Sequence, residues 1–100
     1  MKQNIISSAQ KKILFLPHAI KQMSRPDKMI STEEIRDAVF NGEIIEDYPN
    51  DERGESCLLF NLKDKRVIHV VCSPKTEYLA IISAYIPSPD QWSSNFKVRR

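Results

Sequence analysis

The apolar positions change their period near residue 42. Before it they recur mostly at helical spacing, and after it they alternate in short runs broken by polar turns. Residues 1–12 are polar, with Ile5 and Ile6 as the apolar exception, and read as a loose arm or a short helix. Residues 12–16 (Lys-Ile-Leu-Phe-Leu) form a candidate first strand. Pro17 suits the start of a helix, where its missing N–H costs nothing. Ala19, Ile20 and Met23 give that helix an apolar face. Pro26 ends it by disfavouring helical backbone at Arg25.

A second helix is specified more fully. Ser31 is placed as N-cap with Glu34 at N3, a capping box, and Ile30 and Ile35 are spaced for a hydrophobic staple. Glu33 and Glu34 favour the positive helix N-terminus. Ile35, Ala38 and Val39 form the stripe to be buried, and Gly42 after Asn41 is the expected left-handed terminator. Strands then follow over 43–48, 56–62, 66–73 and 78–86. Their short connections imply an antiparallel meander. The predicted class is therefore α+β, with two N-terminal helices packed on an antiparallel four- to five-stranded meander sheet. The expected core is Ile20, Met23, Ile35, Val39, Leu58, Phe60, Ile68, Val70, Ile82 and Ala84, or the partner face, because a one-residue phase change exchanges the faces.

Length and composition narrow the class without changing this picture. One hundred residues fit a single domain over 1–100, with 93–100 as a basic tail. The 41% apolar and 28% charged content argues against a disordered chain. No run has the ~18 apolar residues of a membrane span, and the N-terminus lacks a signal-peptide core, so a cytoplasmic protein without membrane contact is expected. Cys57 and Cys72 make no disulfide framework and read as small buried hydrophobes. The spacing of His18, Cys57, His69 and Cys72 gives no support for a metal site, and no cofactor is expected.

Charge is unevenly placed within a net +2: residues 43–55 hold six acids and one base, leaving fourteen bases against seven acids elsewhere. No phosphate-binding Gly-rich loop, nucleophile elbow or paired-carboxylate signature is present. Candidate chemistry falls instead on polar residues in apolar strands and at element ends: His18, Arg25, Tyr48, Arg53, Arg66, His69, Ser83, Tyr85 and Trp92. His69, between Ile68 and Val70, is either a hydrogen-bonded structural histidine or a general acid or base. Trp92 is expected to fold back onto the sheet as a lid.

One ordered set is more specific than any member. It comprises His18-Ala19, Met23, Arg25, Ile30-Ser31, Glu34-Ile35, residues 42–49 (Gly-Glu-Ile-Ile-Glu-Asp-Tyr-Pro), Leu58-Leu59, Arg66, His69-Val70-Val71, residues 81–85, Pro87 and Trp92. This set closely resembles the bacterial and archaeal proteins grouped as domain of unknown function family 4258, over about residues 12–100. Where members commonly read Arg-Gly-Ile-Ser, this chain has residues 25–31 with a longer inter-helix loop. The resemblance implies a small toxin-type protein of the RelE/MqsR/BrnT kind, paired with a zinc-ribbon, MqsA-type antitoxin, and acting as a metal-independent endoribonuclease.

Such cleavage needs a base for the 2′-hydroxyl, an acid for the leaving 5′-oxygen, and a cation beside the phosphorane. The candidate acid–base residues are His18, His69 and Tyr85, and the candidate phosphate clamps are Arg25, Arg53, Arg66 and Arg99. This reading requires His18, His69, Tyr85 and an arginine to converge in one basic cleft, with the acidic 43–55 stretch elsewhere. The alternative is a non-catalytic binding module for a zinc-ribbon partner or nucleic acid, which pairs through an exposed sheet edge. That alternative expects His69 fully buried with both ring nitrogens satisfied. A third reading, an enzyme acting on something other than RNA, requires a deep apolar pocket.

Overall fold

The computed structural model describes residues 1–100. Its elements run α1 (Lys2–Lys11), β1 (Ile13–Phe15), α2 (Pro17–Met23), α3 (Thr32–Asn41), β2 (Glu43–Tyr48), β3 (Ser56–Lys63), β4 (Arg66–Pro74) and β5 (Leu79–Tyr85). The class is α+β, with three helices and one five-stranded sheet in the order β1-β5-β4-β3-β2. β2 to β5 form the expected antiparallel meander. β1 departs from it: it pairs with β5 in parallel, Ile13 opposite Leu79, which makes the sheet mixed. No helix is long and apolar enough to cross a membrane.

Of the two states expected for residues 1–12, the arm takes the helical one, which adds a third helix to the two that pack on the sheet in the expected class. Its only buried residues are Ile5, Ser8 and Ala9, spaced i, i+3, i+4, and Met1 at its N-cap makes no side-chain bond. Long-range bonds hold it: Lys2 Nζ to the Gly42 carbonyl at 2.7 Å, Ser8 Oγ to the Lys75 carbonyl at 2.7 Å, and Lys11 Nζ to the Thr76 carbonyl at 2.8 Å. Short helices lacking such tertiary support are marginal in water.

α3 forms as its sequence specifies. The Glu34 amide donates to Ser31 Oγ at 3.1 Å, and the Ser31 amide donates to Glu34 Oε1 at 3.0 Å. Its C-cap differs from the expected left-handed turn, because Gly42 has φ −77° and ψ 173°, extended backbone open to any residue. Glycine is needed there for space. A Cβ would lie 2.4 Å from the Ala38 carbonyl oxygen and 2.9 Å from that of Phe60.

The helices cover one face of the sheet. Ile5, Ala19, Met23, Ile35, Ala38 and Val39 join Leu59, Ile68, Val70, Leu79, Ile81 and Ala84 in the main core. The expected core is corrected in two respects. Ile20 is 50% exposed, because α2 turns Ala19 and Met23 inward, one turn apart. Leu58, Phe60 and Ile82 are buried outside that cluster, and the register places Leu58 and Phe60 beside Val71 and His69 on the opposite face.

That opposite face has two covers. The 49–55 loop folds against one end, where Ser73 Oγ donates to the Glu55 carbonyl at 2.7 Å and Ser56 Oγ to Asp51 Oδ2 at 2.7 Å. At the other end the strap formed by residues 87–100 doubles back, with a bridge between Trp92 and Arg99. Gly42→Ala should destabilise the fold by about 2 kcal/mol, since the clashing atoms are backbone on two elements; chemical denaturation would measure it, and an unchanged midpoint would refute the crowding argument.

Candidate functional site

His69 lies in β4 opposite Phe60 of β3 and Tyr85 of β5, so all three side chains share the face away from the helices. Alternation along β2 puts Glu46 and Tyr48 together on that face. The strap closes over them. Trp92 is 1% exposed and meets the His69 ring edge-on, with centroids 4.5 Å apart. The Arg99 guanidinium stacks over Trp92 at 4.7 Å and forms a forked bond with Glu46, Nε to Oε2 at 2.8 Å and Nη2 to Oε1 at 3.1 Å. Tyr48 donates its hydroxyl to Glu46 Oε1 at 2.5 Å. Lys97 pairs with Glu43 at 3.0 Å.

His69 is 0% exposed. Its Nε2 lies 2.8 Å from the Phe96 carbonyl oxygen, which can only accept, so Nε2 carries the proton. Nδ1 then accepts from the Tyr85 hydroxyl at 3.3 Å. This assignment makes the imidazole neutral with both nitrogens satisfied. Phe96 reaches its position with φ 61°, a left-handed backbone uncommon for a residue with a Cβ.

Electrostatics match the geometry. Burial pushes the His69 pKa below its ordinary value, against smaller upward pulls from the Phe96 carbonyl and Glu46. Burial likewise raises Tyr85, and with the Glu46 bond it pushes Tyr48 up to about 12. At Glu46 burial acts upward, but the bonds from Arg99 and Tyr48 hold the carboxyl below its ordinary value. The same bond to Glu46 raises Arg99.

The other candidates do not join this cluster. His18 is exposed near the start of α2, a helix packed on the core face, so the sheet lies between it and the His69 side chain. The two-histidine arrangement is absent. Arg25 is a loop residue 3.6 Å from Asp27. Arg53 is tied to Asp51 at 3.1 Å in the 49–55 loop. Arg66 pairs with Glu34 at 3.1 Å and donates to the Met29 carbonyl. Each candidate clamp, Arg99 included, thus has a carboxylate partner. The acidic stretch is not remote either, since Glu46 belongs to the cluster itself.

Glu46 sits in the acidic 43–55 run, where no single carboxylate stands out from its neighbours. The signal that could have found it is the i, i+2 phase it shares with Tyr48. The Phe96 carbonyl leaves no side-chain signal at all. No group of three or more His, Cys, Asp or Glu side chains is placed to hold a metal. Three surface cavities of about 280, 360 and 300 Å³ have mostly polar linings and include none of His69, Tyr85 and Arg99.

A family model described as domain of unknown function (DUF4258) matches residues 15–86. That span includes Glu46, Tyr48, His69 and Tyr85 and stops short of the strap. No curated protein matches the chain, and no solved structure does.

Neutral buried His69 has a pH consequence. Its folded pKa lies below its unfolded value of about 6.5, so its contribution is complete above that pH. It is lost as pH falls from about 6.5 through the folded value, at up to ~1.4 kcal/mol per pH unit. Unfolding midpoints measured against pH should begin to fall near 6.5 in the wild type and only in the carboxylate range in His69→Gln. Identical profiles would show that His69 is not held neutral.

Proposed function

The chain belongs to the DUF4258 family, and from that premise and the surroundings of His69 we propose that it is a non-catalytic binding module. The carrying observation is that His69 is fully buried with both ring nitrogens hydrogen-bonded. A general acid or base must reach the proton it transfers, either directly or through one water. Under Trp92 and the strap, His69 reaches only Tyr85 and Phe96. The pairing of all four candidate arginines with carboxylates supports the same reading. On it, His69, Tyr85, Glu46 and Arg99 form a latch for the strap, and the partner is the zinc-ribbon protein implied by the family resemblance.

A second reading rests on one observation. A carboxylate, an imidazole, a phenol and a guanidinium meet on one face beneath a short strap. If the strap lifted, Arg99 would leave with it and free Glu46 to take the 2′-hydroxyl proton. Tyr85 or a His69 protonated on exposure would protonate the leaving 5′-oxygen, and Arg99 would return with the strap to steady the phosphorane only on closure over the RNA. This revised set replaces His18 with Glu46. Helices preceding a meander sheet also fit the RelE-type arrangement that the resemblance implies.

Purified wild type, Trp92→Phe, Glu46→Gln and His69→Ala incubated with labelled RNA in a metal chelator separate the two. The binding reading expects no cleavage above buffer by any of them and no growth arrest on expression. It also expects His69→Ala to lose about 2 kcal/mol of stability, since two buried polar partners are stranded. Cleavage by the wild type, increased by Trp92→Phe and lost in Glu46→Gln, would overturn it in favour of the nuclease.

A further inference from the structure

The sheet has two free edges, and they differ. β2 is interrupted by an irregularity between Ile44 and Glu46, and its Glu43 and Glu46 are tied to Lys97 and Arg99 of the strap. Bulges and charges of this kind are how proteins blunt an edge. β1 has no bulge and no ion pair across its edge; it is short, at three residues, with Lys12 beside it. In its parallel ladder the Leu79 amide donates to the Lys12 carbonyl at 2.8 Å and the Leu16 amide donates to the Ile81 carbonyl at 3.0 Å. Inward bonds therefore belong to residues 12, 14 and 16. Alternation turns the N–H and C=O groups of Ile13 and Phe15 outward, where no strand meets them.

The surroundings of this edge define what fits it. Leu14 is 37% exposed and shares the face of Ala80, and Ile20 is 50% exposed on α2, which packs on the neighbouring β5. The first 26 residues carry five bases and no acid. Lys12 adjoins the strand and Lys21 lies on α2, both exposed and neither within ion-pair distance of a carboxylate. A second copy pairing here would set base against base, which like-charge repulsion disfavours. Outward amides and carbonyls flanked by apolar side chains match a peptide backbone better than a phosphate chain.

We propose that the β1 edge is the docking site for an extended acidic segment of a partner protein, added to the sheet as a sixth strand. Backbone bonds to Ile13 and Phe15 supply the pairing, Leu14 receives an apolar side chain on its own face, and Lys21 on the helix face meets the partner's carboxylates, with Lys12 adding to the basic surroundings. The inference rests on the binding reading above. Its failure is distinguishable, because that reading falls to RNA cleavage and this one falls to the peptide experiment.

The probe is a blocked peptide of about nine residues alternating valine and glutamate, a length typical of strands. It is titrated into the isotope-labelled full chain and followed by amide NMR. A valine–lysine peptide and a short polyuridine RNA serve as comparisons. The acidic peptide should give saturable shifts at residues 13–15 and slow the hydrogen exchange of the Ile13 and Phe15 amides. Leu14→Glu, at an exposed position, should weaken binding about tenfold or more through like charge. Ile13→Pro should do the same by removing an outward N–H while leaving the β1–β5 bonds intact. No shift at about 1 mM peptide would overturn the proposal. Equal shifts from the lysine peptide or the RNA, or shifts confined to β2, would also overturn it.

Discussion

The central strands β3, β4 and β5 are apolar on both faces, and each face must be shielded from water. Three helices shield one face in the usual two-layer manner. For the other the chain has only the 49–55 loop and the 87–100 strap. A strap this short cannot build a second hydrophobic layer, so it concentrates its contacts. Trp92 supplies the buried area, and His69 receives it as a neutral ring with a donor for the Phe96 carbonyl. A charged or unpaired imidazole under Trp92 would carry a desolvation cost with no compensation. Neutrality at His69 is thus the condition on which closure of that face depends.

The uneven charge distribution acquires a structural meaning from the same closure. The acids of β2 and the bases of the strap lie against one another, Glu43 with Lys97 and Glu46 with Arg99. Exposed pairs of this kind contribute little to stability. Their role is registration: the forked Glu46–Arg99 bond, with Tyr48 on the same carboxylate, fixes where the strap lands, while Trp92 supplies most of its hold.

Elements with local signals were legible in the sequence. α3 announces itself through Ser31, Glu34 and its apolar stripe, and the meander through alternation and turns. α1 was legible only as one of two states, arm or short helix, because its helical state depends on Lys2, Ser8 and Lys11 reaching carbonyls distant in sequence. The parallel placement of β1, which no neighbouring residue dictates, was not legible. At the site, His69, Tyr85 and Trp92 stood out as polar or aromatic groups in apolar or terminal contexts. Assigning His18 to them failed because sequence order does not say which side of a sheet a helix occupies. Glu46 was obscured by its acidic neighbours, and the helix-to-strand bend at Gly42 hid a packing constraint behind a residue expected for its backbone freedom.

The parallel pairing of Ile13 with Leu79 also sets an order of events during synthesis. Translation delivers β1 before α2, α3 and β2 to β4, and its only partner strand, β5, follows them all. At ~5–20 residues per second the nascent chain carries an unpaired Ile-Leu-Phe segment for several seconds. The β2–β5 meander closes through short loops and can assemble on its own schedule, whereas β1 must wait and dock across it. Lys11 and Lys12 beside that segment are charges of the kind that flank exposed apolar strands and oppose their self-association.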